Sequence, residues 1–288
     1  MALLTSEHVD RRLTWIAAAF SALGCARAPS PLYPVFVGSV GMPHRGVLLG
    51  GIELATTGPG YQFLRDDDRH HATPRFAAVL ARAAERVARE RPGATLVFGD
   101  LSRAGGGTLL PHLSHRTGRD ADLVLYTTTV DGAPVASPGF IHFGTDALAW
   151  DPHEKRYLRF DVEREWLLVR TLLEDPEARI QWIFSNHNVE SLLIEWAVAR
   201  GESTEMIWRA QQVMLEPHPG GPHDDHIHVR TACDADEIAR GCEPSGPARP
   251  WLAVDASSGA VDDSNETLVR ELLRPIEGGA VLAAAGTR

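Results

Sequence analysis

Apolar positions recur along this chain with two periods, and the switches between them mark its elements. Phe76, Leu80, Ala83 and Val87 keep helical spacing behind Thr73, a candidate N-cap, and Pro74, suited to a first helical position; Pro92-Gly93 stops the run. A second helix is predicted from Asp161, carrying Trp166, Leu167, Val169, Leu172 and Leu173 as far as Pro176. Shorter helices are expected over residues 189–199 and 205–214. Strands are expected over residues 95–98, 122–127, 180–184 and 226–230. Residues 26–75 have little periodicity and much Gly and Pro, which predicts a loop-rich arm with short strands, such as one at 46–49. The stretch between Thr127 and Asp161 reads as a polar loop, and the last ~30 residues as a helix plus a disordered end. The order is that of an α+β fold, a small antiparallel sheet flanked by helices, behind a loop-rich N-terminal arm.

Composition narrows the function classes. A chain of 288 residues can bury a substantial core in one large or two modest domains. A net charge of −10 argues against nucleic acid as a partner, because no basic surplus exists to displace phosphate counterions. Near the N-terminus, Arg11 and Arg12 precede an apolar run from Leu13 to Gly24, and Cys25 follows. That is the layout of a secretory signal peptide over residues 1–24, and its apolar core is far shorter than the ~20 residues of a spanning helix. Leu23-Gly24-Cys25 is close to a bacterial lipobox, with Ala22 where Leu is preferred, so Cys25 is the expected lipidation site. In an exported protein Cys233 and Cys242 are expected to form a disulfide closing a small loop.

Two clusters carry the chemistry. Residues two apart on a strand share a face, so a strand at 226–230 presents His226 and His228 side by side. His223, Asp224 and Asp225 precede them, and a second group runs from His115 through Asp120 to Asp122. One histidine alone is usually structural. Two separate segments, each supplying histidine and carboxylate beside a predicted strand, hold the donors of a catalytic zinc site: three protein ligands and one open position. The spacing alone does not choose between Asp120 and Asp122, which share a strand face.

Several metal-hydrolase patterns do not fit. His153-Glu154 begins a zinc-protease helix motif, but Tyr157 stands where its second His belongs. Arg230-Thr231 occupies the region where a metallo-β-lactamase would continue with Asp-His, and only 60 residues follow His228, too few for an amidohydrolase barrel. A non-haem iron site built on His223 and Asp225 would need a later His, and none follows His228.

The pattern that fits is His-x6-Asp followed much later by His-x-His. It resembles the peptidase superfamily that includes lysostaphin, the D-Ala-D-Ala metallopeptidases and sonic hedgehog. Three stretches bring it close to the penicillin-insensitive murein endopeptidases of Gram-negative bacteria: Gly99-Asp100-Leu101-Ser102, Ser114 to Asp122, and His223 to Arg230. The resemblance covers roughly residues 38–245, and Gly38 to Gly41, Gly46 and Tyr61 to Phe63 suit the family's N-terminal arm. It implies a zinc peptidase domain over residues 38–250, after a linker at 25–37 and before a C-terminal extension at 251–288. It implies Zn2+ ligands at His115, Asp122 and His228, with His223 and His226 as the remaining active-site histidines and His112 nearby. It selects Asp122 over Asp120, which becomes a partner behind the ligands or a structural acid. It implies hydrolysis of D-alanyl–diaminopimelate cross-links between peptidoglycan stem peptides in the periplasm, with an outer-membrane anchor at Cys25. The alternatives are a DD- or LD-carboxypeptidase of the same fold, or a non-catalytic peptidoglycan-binding protein. No Glu base is evident near the clusters, so His226 or His223 is expected to move the proton; the sequence does not choose between them, and the favoured division is His223 as base and His226 at the oxyanion. Arg116, Arg119 and Arg230 flank the ligands and are candidate partners for a stem carboxylate.

Overall fold

A computed structural model of the chain describes residues 37–217, 221–247 and 249–252. The signal segment, Cys25 and all but the first residues of the C-terminal extension lie outside them. The expected arm consists of short strands: β1 (Gly38–Met42), β2 (Arg45–Leu49), β3 (Ile52–Glu53), β4 (Thr57–Gly58), β5 (Tyr61–Phe63) and β6 (His71–Ala72). Helix α1 (Pro74–Glu90) begins as its pattern requires, with the Thr73 hydroxyl accepting from the Phe76 N–H and Pro74 in the first turn. Its apolar stripe of Phe76, Leu80, Ala83 and Val87 is buried. Strands β7 (Leu96–Phe98) and β8 (Asp120–Val124) follow, so β8 starts two residues ahead of expectation and contains both aspartates.

The segment read as a polar loop is instead a four-stranded antiparallel sheet. It contains β9 (Thr127–Thr129), β10 (Pro134–Val135), β11 (Leu148–Asp151) and β12 (Arg156–Phe160), in the order β10-β9-β12-β11. The strands are short, and Trp150 and Tyr157 are exposed while Ala149 and Leu158 are buried. Apolar residues therefore stand on both faces, which hides the period of two.

Helix α2 (Val162–Glu174) is capped by Asp161. After β13 (Ile180–Phe184), α3 (His187–Ala199) starts two residues earlier than expected, because the Asn186 side chain accepts from the Asn188 N–H at 2.7 Å. Helix α4 (Thr204–Val213), β14 (Met214–Leu215), β15 (His226–Thr231) and α5 (Ala235–Ala239) complete the main elements. Among the described residues no helix is long and apolar enough to cross a membrane.

The sheet that positions the site is larger than predicted, with seven strands in the order β14-β13-β15-β8-β7-β5-β4. Its central pairings, β13–β15, β15–β8 and β8–β7, are antiparallel; β14–β13 and β5–β7 are parallel. Ala121, Leu123, Ile227 and Val229 enter one apolar core with Phe76, Leu80, Leu168 and Val169. The alternate positions of the same strands are left for the polar residues. Cys233 and Cys242 are disulfide-bonded, as expected. Cys242 also bridges to Gly41, which ties this segment to β1.

Candidate metal centre

Register puts the two clusters on one sheet face. On paired β15 and β8, His228 lies opposite Asp122, Arg230 opposite Asp120, and His226 opposite Val124. His115 arrives from the loop before β8 in a left-handed backbone conformation, φ 61°. That conformation is costly for a residue with a Cβ and persists only where surroundings fix it. Here the His115 N–H donates to Asp120 Oδ2 at 3.1 Å and its ring Nδ1 donates to the Leu101 carbonyl at 2.9 Å. Gly118 closes the same loop at φ 72°, and a Cβ there would stand 2.9 Å from the Thr73 nitrogen, which explains the glycine.

The donor atoms converge on one oxygen. His115 Nε2 is 3.2 Å and His228 Nδ1 is 3.1 Å from Asp122 Oδ1, and the two nitrogens are 3.3 Å apart. His226 Nε2 stands 3.5 Å from the same oxygen. His112 Nδ1 approaches Oδ2 at 3.6 Å, so His112, His115 and Asp122 form an overlapping ligand set. The set with His228 is the tighter of the two, since both of its nitrogens face the same oxygen. Asp122 is fully buried, yet neither of its oxygens receives a well-directed hydrogen bond. Imidazole nitrogens gathered round an orphaned buried carboxylate are the donor set of a divalent cation, and two His with one carboxylate suit zinc.

Each of the five histidines is anchored by its outer nitrogen. His112 Nε2 meets Asp100 at 2.7 Å, His223 Nδ1 the Gly221 carbonyl at 2.7 Å, His226 Nδ1 Asp225 at 2.5 Å and His228 Nε2 Asp120 at 2.9 Å. The fifth is the His115–Leu101 bond. A carbonyl or carboxylate only accepts, so each outer nitrogen carries the proton, and the inner one is left with its lone pair when the ring is neutral. Fixing the tautomer in this way is what metal-binding histidines require.

Electrostatics point the same way. Burial disfavours a charged His115, but Asp122 outweighs it and pushes the pKa up to about 9. Burial would raise Asp122, but His115 and His226 hold it well below the usual carboxylate range. Asp120 is likewise held down against burial by Arg230 and His228. The pocket around Asp122 therefore favours positive charge, and metal ligation needs that carboxylate ionised.

Asp120 falls behind the candidate ligands: Arg230 Nε donates to its Oδ1 at 2.6 Å and the same oxygen accepts from His228, while Arg230 also lines the cleft with its guanidinium over the Phe184 ring. For Arg119 the structure corrects the expectation of a substrate contact. Its side chain is fully buried, with the guanidinium on the Gly41, Thr231 and Glu243 carbonyls, so it joins β1 to the end of β15 and the segment at Glu243 and is out of a substrate's reach. Two further acids serve the site without a role assigned from sequence. Asp100 takes Arg65 and Arg69 as well as His112. Asp225 anchors His226, and His142 pairs with the adjacent Asp224 at 2.7 Å. Their signal was adjacency: Asp100 lies in one motif stretch and Asp225 directly precedes His226. The Leu101 carbonyl has no sequence signal at all.

The histidines line a cleft of about 410 Å³. His112, His223, His226 and His228 contribute to it together with Pro111, Leu113, Phe184 and Pro217. A larger hollow of about 680 Å³ lies between α1 and α2, where Arg82 and Arg86 are already paired with Asp175, Glu177 and Glu174.

Known proteins are similar to this chain in sequence. A penicillin-insensitive murein endopeptidase of Haemophilus influenzae is 28% identical over 215 residues, covering 72% of this chain and 67% of its own length. A protein of the same name from Klebsiella pneumoniae subsp. pneumoniae is 26% identical over 222 residues, covering 74% and 72%. One from Escherichia coli K12 is 23% identical over 224 residues, covering 76% and 75%. The family pattern described as penicillin-insensitive murein endopeptidase matches residues 39–257. A match over so much of the chain means that it belongs to the penicillin-insensitive murein endopeptidase family.

Proposed function

We propose that this chain is a zinc-dependent endopeptidase that hydrolyses D-alanyl–diaminopimelate cross-links in peptidoglycan. The observation that carries this reading is the convergence of His115 Nε2 and His228 Nδ1 on the unpartnered Asp122 Oδ1 at the wall of a cleft. His115, Asp122 and His228 are the proposed ligands. A zinc ion bound there supplies Lewis acidity, which acidifies water and polarises a carbonyl.

The remaining histidines divide the proton work. Burial, reinforced by the neighbouring His226 and His228, pushes the His223 pKa down to about 4. His223 is therefore neutral at pH 7, its Nδ1 proton committed to Gly221, and Nε2 is free to accept a proton from the attacking water. Burial also disfavours charge on His226, but Asp122 and Asp225 outweigh it and raise its pKa. A protonated His226 meets the negative charge that develops on the carbonyl oxygen. The proton taken by His223 passes to the leaving amine, so water and one amide yield one acid and one amine. The apolar wall of Pro111, Leu113 and Phe184 narrows access of bulk water to these groups.

The reading extends to location: residues 1–24 direct export, Cys25 carries a lipid, and the domain works on stem peptides in the periplasm. Digestion of purified sacculi with mass analysis of the products tests the chemistry. Cross-linked dimers should fall to monomers, a chelator should stop the reaction, and added zinc should restore it. Trimming of stem ends with the dimers left intact would sink the endopeptidase reading, and full activity after verified metal removal would sink the zinc.

A further inference from the structure

Trp150 and Tyr157 stand side by side on the outer face of β11 and β12, and both are exposed. Register pairs them directly, and their rings meet edge to face with centroids 5.1 Å apart. They are 48% and 55% exposed, while the alternate residues Ala149, Leu158 and Phe160 are buried in the core. Leu158 pairs with Thr129 on β9, so exposed Val130 continues the row beyond Tyr157. Arg159, two residues from Tyr157 and also exposed, shares the same face opposite Thr128. Scattered apolar side chains on a surface need no explanation, but adjacent aromatics with a guanidinium alongside form a patch.

The patch has a definite chemistry. Each ring offers an apolar face with a polar tip, and Arg159 adds several hydrogen-bond donors. The matching ligand has one apolar face and a rim of hydroxyls, which describes a pyranose ring with its C–H bonds on one side.

The chain runs from the wall of the cleft into this sheet. Between β10 and β11 the chain sets Phe140 against His226, with ring centroids 5.2 Å apart, and His142 against Asp224. It then enters β11 at Leu148. A cleft of about 410 Å³ holds a few peptide residues. Murein joins such peptides to strands of sugar, and those strands must lie outside the cleft.

We propose that Trp150, Tyr157 and Arg159 form a carbohydrate platform that holds the glycan strand of murein while a stem peptide enters the cleft. This rests on the murein endopeptidase reading above. The test compares full-length wild type with the Trp150→Ala/Tyr157→Ala double variant, sedimented with intact sacculi in brief incubations on ice. Apparent affinity should fall about tenfold or more. Peptide-free glycan strands should compete with sacculi for the wild type. Cleavage of soluble cross-linked peptide dimers should be unchanged, which also reports that the variant is folded. Equal sedimentation of the two proteins overturns the platform, as does failure of peptide-free glycan strands to compete. Loss of binding to phosphatidylglycerol vesicles with sacculus binding intact would overturn it in favour of a lipid surface. If the wild type cleaves no dimers the endopeptidase reading falls, while the sedimentation comparison still decides the platform.

Discussion

Strands β8 and β15 have two faces, and both are out of water. On one, Ala121, Leu123, Ile227 and Val229 pack into the core; on the other stand Asp120, Asp122, His228 and Arg230. The apolar face is complete once it is packed. The polar face is complete only through an ordered set of bonds: Arg230 to Asp120, His228 to Asp120, and three imidazole nitrogens facing Asp122 Oδ1. Burial is common to both, so it does not decide the chemistry; the neighbours do. Asp100 illustrates this. Burial alone would raise its pKa, but the His112 hydrogen bond and the nearby Arg65 bring it down to about 2.

The largest expected effect comes from emptying the centre of the polar face. Asp122→Ala should reduce bound zinc from about one per chain to well under a tenth, and lower cross-link cleavage by about 10³-fold or more. Metal analysis of the purified variant together with dimer cleavage checks both. Zinc retained at full stoichiometry would mean that Asp122 is not a ligand. The counterpart on the apolar face, Ile227→Ala, should cost about 2–5 kcal/mol of stability by urea unfolding while the folded variant keeps its zinc. If Ile227→Ala loses metal while still folded, the two faces are not separable and the polar constellation depends on core packing.

Much of this division was legible in the sequence, because both faces obey the period of two. His226 with His228 and Asp120 with Asp122 could be put on shared faces without coordinates, and the caps at Thr73 and Asp161 fixed the helices that cover the core. Register across β8 and β15 was not legible. It joins residues 108 apart in sequence, as in the His228–Asp120 bond, and depends on the whole sheet. The anchors were legible only where a side chain supplies them. Asp225 sits next to its histidine, whereas the carbonyls of Leu101 and Gly221 carry no residue signature. Arg119 misled because nearness to the cluster in sequence does not fix direction: its guanidinium turns to the Gly41, Thr231 and Glu243 carbonyls instead. The sheet of β9 to β12 was missed because its exposed Trp150 and Tyr157 obscure the alternation that its buried residues keep.

The effect that is smallest at any one pH step sharpens the contrast from the helical layer. Glu165 on α2 is fully buried and accepts from the Tyr126 N–H at 3.0 Å, while its other oxygen has no partner. Unlike Asp120 and Asp122 it has no cation beside it. Burial therefore dominates and pushes its pKa from 4.5 up to about 8, against the opposing Tyr126 hydrogen bond. Between those values the folded protein holds a proton that the unfolded chain has released. Stability from this group is thus fully present below pH 4.5 and is lost as pH rises towards 8. The slope is at most about 1.4 kcal/mol per pH unit. Glu165→Gln keeps an acceptor for the Tyr126 N–H and cannot ionise. Urea unfolding of both proteins at pH 5, 6, 7 and 8 should show the variant gaining on the wild type at each step, since every other titrating group contributes alike to both. Parallel stability profiles would mean that Glu165 is ionised in the fold, and that burial without a cation does not set the charge of a carboxyl group in this protein.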